Sequence, residues 1–180
     1  MFRTIQKSNP AFESNHLSFI TVKTNNLRGR GDICLFVPPL EGLKDVPLVI
    51  LLHGVYGSAW EWSQKGGVHI AAWEMIQRKE LKPMVLAMPS DGLWGDGSGY
   101  VPHNGLDFEK WIVEDVPMAV IESVEAISEK SDLYISGLSM GGFGALRLGI
   151  KYADKFKAVS AHSSITELGQ MSMFVEESLK

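Results

Sequence analysis

A chain of 180 residues that is 45% hydrophobic and 21% charged, with a net charge of −4, has the composition of an ordinary globular domain able to bury its own core. It holds no Lys/Arg-rich run, so nothing in it points to nucleic acid or to an anionic membrane surface as a partner. Its one cysteine, Cys34, excludes an intrachain disulfide and a thiolate metal cluster.

The N-terminal residues MFRTIQKSNPAFES lack the apolar stretch of a signal peptide. The longest apolar run, residues 46–52, is interrupted by Pro47 and far too short to span a bilayer. The expectation is a cytoplasmic protein that stays off the membrane, folded as one domain over residues 1–180. Residues 17–23 (LSFITVK) and 32–37 (DICLFV) read as strands joined through the turn-rich residues 24–29. Residues 47–53 (PLVILLH) form a continuous apolar run suited to a central strand covered on both faces. A helix over 67–79 and a buried strand over 84–88 follow.

Residues 108–128 have a helical period, with Pro117 marking a kink or a fresh helix start. A short strand over 133–136, a helix over 139–152 and a strand over 156–161 complete the pattern. After an antiparallel opening, strands and helices alternate. That alternation predicts an α/β fold: a mostly parallel sheet with helices on both faces and its chemistry at the carboxyl ends of the strands.

One motif falls at such an end. Gly137-Leu138-Ser139-Met140-Gly141 fits G-x-S-x-G between a strand and a helix, the setting in which a serine is held on a strained turn as a nucleophile. The helix start beside it offers free N–H groups to an anion. An acyl-transfer site needs a second N–H donor from the loop after an earlier strand, and His53-Gly54-Val55-Tyr56-Gly57 supplies one. The backbone N–H groups of Val55 and Met140 are the expected oxyanion donors. His53, at a strand end before a glycine, suits a loop-holding histidine better than a base.

With these elements in view, the chain resembles the esterase family that includes esterase D (S-formylglutathione hydrolase), feruloyl and acetylxylan esterases and mycobacterial mycolyltransferases. PLVILLHGVYGSAWEW, LAMPSDG, FEKWIVEDVP and LYISGLSMGGFGALRLGIKYADKFKAVSAHSS carry the likeness, from about residue 17 to 164. The resemblance implies an α/β-hydrolase fold, no metal or organic cofactor, and hydrolysis of a small-molecule ester or thioester through an acyl-enzyme on Ser139.

In that family an Asp and then a His follow the serine. Here the only later Asp is Asp154, at the opposite end of the sheet, and the only later histidine is His162. His162 is read as a pocket wall, a structural histidine or a base with a partner such as Glu167. The expectation is therefore a fold incomplete at its C-terminal end, with the catalytic Asp and His strands beyond residue 180. Residues 165–180 would then open a helix or lid. The strand over 156–161 would have an unpaired edge through which copies could associate.

His53, Tyr56, Trp94, Tyr100 and His162 are the candidate pocket residues, with Trp94 and Tyr100 on the loop expected to overhang Ser139. His103 is expected on a solvated loop. Trp60, Trp62 and Trp111 read as packing residues. The Gly/Asp-rich residues 90–100 lack the ligand spacing of a calcium loop, and Glu114-Asp115 suits a helix start. Two rival functions remain at this stage: a non-catalytic binding module on the same fold, and acyl transfer to an alcohol or sugar.

Overall fold

The structure is a computed structural model that describes residue 2 and residues 4–177. Among the described residues one mixed sheet has the order β1-β2-β3-β5-β4-β6-β7. Its strands are β1 (Ile5–Lys7), β2 (Leu17–Thr24), β3 (Gly29–Phe36), β4 (Leu48–Leu52), β5 (Val85–Pro89), β6 (Leu133–Leu138) and β7 (Phe156–His162).

The first three strands form an antiparallel apron, and β3 joins it to β5, also antiparallel. From β5 onward the sheet is parallel through β4, β6 and β7. The β2–β3 hairpin runs in uninterrupted register from Leu17 opposite Phe36 to Thr24 opposite Gly29. β4 is central and almost wholly buried, and every residue of β5 is buried, as the continuous apolar runs require.

Helix α1 (Val68–Gln77) covers one face of the sheet, where Ala72 packs with Cys34, Phe36, Leu86 and Met88. The short helices α2 (Phe108–Lys110) and α3 (Val116–Ile121), with α4 (Met140–Lys151), cover the other. Asp107 caps α2 by accepting the Lys110 N–H at 2.9 Å. Pro117 lies in the first turn of α3, and a wide π-helical turn over Trp111–Asp115 precedes it. A proline cannot donate to the carbonyl one turn back and its ring crowds that carbonyl, so the chain widens there and starts again.

The expected helix over 108–128 is therefore corrected. Helix ends at Ile121, and Val124, Ala126 and Ile127 enter the core from a turn, where Val46 N–H bonds the Ala126 carbonyl at 3.1 Å. β7 forms the sheet margin, and Lys157, Ala158, Val159 and Ser160 are all exposed. Ile150 of α4, beside that margin, is also exposed. Among the described residues no helix is long and apolar enough to cross a membrane.

Candidate active site

β6 and α4 meet at a corner of one residue. Ser139 occupies it with φ 55° and ψ −116°, a conformation that costs a residue other than glycine about 1–3 kcal/mol. Packing enforces it. A methyl on Gly137 would overlap the Gly141 carbonyl, and one on Gly141 would overlap the Leu52 carbonyl at the end of β4. Strand and helix backbones thus touch directly. The Ser139 N–H donates to the His162 carbonyl at 2.9 Å, and the Ser139 carbonyl accepts from Phe143 N–H at 3.1 Å.

The side chain is half-buried, and its hydroxyl has no hydrogen-bond partner among the described residues. Met140, the first residue of α4, carries an amide with no helix carbonyl one turn behind it.

The loop leaving β4 lies against this corner. A Cβ on Gly54 would sit 3.5 Å from Ser139 Cβ. Val55 follows, half-buried, and its N–H has no partner among the described residues. Tyr56 N–H is tied to the Asp96 carbonyl at 2.8 Å, which joins this loop to the loop after β5.

His53 lies beneath, only 2% exposed. Its Nδ1 is 2.7 Å from the Gly54 carbonyl, and its Nε2 accepts the Asp91 N–H at 3.0 Å. Both ring nitrogens are therefore committed to backbone groups, and His53, expected as a pocket residue, is instead buried beneath the loop. The Asp91 carboxylate is committed too, accepting Leu93 N–H at 2.9 Å and Ser98 N–H at 2.7 Å. Ser98 Oγ returns a bond to the Asp91 carbonyl at 2.8 Å.

The model of the family described as "Putative esterase" matches residues 24–177. The chain belongs to that family. The acetyl esterase of Caldicellulosiruptor saccharolyticus is 30% identical over 125 residues, covering 67% of this chain and 42% of the relative. An S-formylglutathione hydrolase from Staphylococcus aureus superposes with a TM-score of 0.71 at 16% identity, over 90% of this chain and 62% of that one. A ferulic acid esterase from Anaeromyces mucronatus gives 0.68 at 19% identity, over 93% and 64%. The chain thus spans under half of its curated relative and under two thirds of these solved structures.

Around the corner of this esterase-family chain, the expected pocket residues separate into two groups. Tyr56 is exposed, and its hydroxyl donates to the Phe174 carbonyl. His162 is exposed at the end of β7, its ring 6.4 Å edge-on from Trp62 and its Nε2 3.2 Å from Ser160 Oγ. Trp94 is half-buried and meets His103 edge-on at 4.5 Å. These three lie on segments near the site.

Tyr100 is a correction: it is fully buried, packs on α4 at Gly144, and donates its hydroxyl to the His53 carbonyl at 3.0 Å, so it shows no face to a ligand. His103 is a second correction. It is buried between Trp94 and Phe108, with Nε2 3.1 Å from the Ser98 carbonyl, and burial pushes its pKa down. The cause is common to both. Asp91 folds residues 91–100 inward through its own carboxylate, so a Gly-rich stretch that reads as solvated is partly core.

Trp111 is fully buried and Trp60 is about half exposed. Asp115 accepts from Thr24 Oγ1 and, at 2.9 Å, from Asn26 Nδ2, a structural role. Asp154 is exposed between α4 and β7, at the end of the sheet away from Ser139. Residues 165–177 form a strap with a 3₁₀ turn over Leu168–Met173, anchored by buried Met171 and Val175. The strap also bonds Asp96 through Glu176 N–H and the Glu177 carboxylate, each at 3.2 Å. The expected lid segment is thus a docked strap as far as residue 177. Residues 178–180 lie outside the described residues.

Proposed function

We propose that this chain carries the nucleophile half of a serine ester hydrolase. The observation behind this reading is the Ser139 hydroxyl, without a hydrogen-bond partner among the described residues, at a strained corner beside the loop of Val55 and the first amide of α4. Ser139 Oγ attacks the carbonyl carbon of a small-molecule ester or thioester. The carbonyl oxygen takes up negative charge against the Val55 and Met140 N–H groups. The alcohol or thiol then leaves with a proton, and water releases the acid from the acyl-enzyme.

Serine at its ordinary pKa needs a base, and that base needs an orienting acid. His53 is not taken as that base, because both of its ring nitrogens are hydrogen-bonded to backbone groups. Neither base nor acid is assigned among the described residues of this chain, which covers 42% of its curated relative and 62% and 64% of the two solved structures. The site has no call for a metal or organic cofactor, since the chain's own dipoles receive the charge.

The deciding experiment is labelling of the full-length gene product with a fluorophosphonate. One covalent adduct on the Ser139 peptide, absent from Ser139→Ala, is expected; an adduct that persists in Ser139→Ala overturns the assignment. A non-catalytic binding module is the second reading, because among the described residues no acid pairs with His162. A folded full-length protein that takes no label would favour it.

A further inference from the structure

A planar trans peptide carries its C=O and its N–H on opposite edges. Whatever holds the Gly54 carbonyl therefore aims the Val55 N–H. The peptide that follows a glycine is the easiest in a chain to rotate, so an amide meant to receive charge at this position needs something to hold it. Two donors hold the Gly54 carbonyl: His53 Nδ1 at 2.7 Å and Gly57 N–H at 3.3 Å.

The imidazole is itself fixed. Its Nε2 accepts the Asp91 N–H at 3.0 Å, so that nitrogen presents a lone pair and the ring proton belongs to Nδ1, where it points at Gly54. The preceding peptide is pinned by the Tyr100 hydroxyl, 3.0 Å from the His53 carbonyl. Both side chains are buried, 2% exposed for His53 and 0% for Tyr100, so water does not compete for these bonds.

We propose that His53 and Tyr100 are positioning residues: a buried clamp that aims the Val55 amide at the reacting carbonyl oxygen without either residue touching substrate. The clamp rests on the reading of Val55 as an oxyanion donor. It also ties that donor to the loop after β5, because Asp91 sets the tautomer and Tyr100 is part of the same inward-folded segment.

Two substitutions divide the work of the ring. His53→Asn places an amide nitrogen near the Nδ1 position and keeps donation to Gly54. His53→Gln places its amide near the Nε2 position and keeps an acceptor for Asp91 but loses the donor. With the full-length protein and p-nitrophenyl acetate, H53Q is expected to lower kcat roughly tenfold to a hundredfold with KM nearly unchanged. H53N retains most of kcat, and Tyr100→Phe falls between the two. A base would be lost equally in H53N and H53Q, so equal loss overturns the clamp, as does a change confined to KM.

A second measurement does not depend on turnover. Nitrogen-15 NMR of the protein should show His53 neutral with its proton on Nδ1, and the Val55 amide resonance should shift in H53Q but hold in H53N. A proton on Nε2, or equal Val55 shifts in the two variants, overturns the clamp. If the wild type hydrolyses nothing and takes no fluorophosphonate while these NMR signatures hold, then the Ser139 reading has failed and the clamp geometry has not.

Discussion

The amide of Ser139 is hydrogen-bonded at 2.9 Å to the carbonyl of His162, so the β6–α4 corner is fastened to the outermost strand of the sheet. Ser139 therefore depends on β7, and β7 has a neighbour on one side alone among the described residues. The corner is strained, it is held by β4 and β7, and the β7 hold is at the margin.

Strain at Ser139 should be visible in stability. Ser139→Gly relieves a positive φ of 55° that Ser139→Ala retains. We expect the glycine variant to exceed the alanine variant by about 1 kcal/mol in urea unfolding, with both devoid of fluorophosphonate labelling. Equal midpoints would show that the corner is relaxed in solution.

The sheet margin makes a second prediction. Val159 is 38% exposed and Ile150 is 78% exposed, beside unpaired strand backbone. Such an edge invites another strand. The 180-residue chain should associate as its concentration rises in light scattering, and Val159→Lys should suppress this. A wild-type chain that stays monomeric across the same range would remove the edge as an association surface.

Glu109 is buried and paired with Arg147 and with Lys151 Nζ at 2.6 Å, and it accepts the Tyr152 hydroxyl. Burial alone would raise its pKa, but the bonds from Lys151, Tyr152 and Arg147 outweigh burial and hold it below 4.5, while Tyr152 is pushed up to about 12. A carboxylate depressed by folding adds stability above its unfolded pKa and loses it as pH falls through the folded value. Glu109→Gln should cost about 1–2 kcal/mol at pH 7, and its deficit against wild type should shrink below pH 4.5. Parallel urea titrations at pH 7 and pH 3.5 check the sign.

Trp111 is fully buried, donates Nε1–H to the Ser90 carbonyl at 2.7 Å, and lies where a Gly31 side chain would fall, 2.5 Å from Cη2. Gly31→Ala should destabilise by about 1–3 kcal/mol. Trp111→Phe in the same chain should recover part of that loss, giving a favourable coupling in a double-mutant cycle. Strict additivity would refute the contact.

Part of this fold is decided by local rules. The apolar run at residues 47–53 forms a central strand, and G-x-S-x-G between strand and helix forms a tight corner. Long-range contact decides the rest. β1, the three residues Ile5–Lys7, has no alternation of its own and exists because Val22, Thr21 and Ile20 pair with it. Tyr100 and His103 sit in a Gly-rich stretch whose burial depends on one carboxylate.

A signal for that stretch was present. Asp91-Gly92-Leu93 has the form of a turn in which an Asp side chain accepts the N–H two residues on, and the structure has that bond at 2.9 Å. The bond from the Asp91 N–H to His53, 38 residues away, was not legible in the sequence, because only the folded loops bring the two together.

The bare contacts between Gly137, Gly141 and the Leu52 carbonyl make the corner a self-contained joint, specified by main chain rather than by its surroundings. Its shape is set by backbone contacts with β4 and β7 and does not call on the side chains that surround it. Exposed residues such as Leu93 and Phe174 can vary while the backbone joint beneath keeps its form.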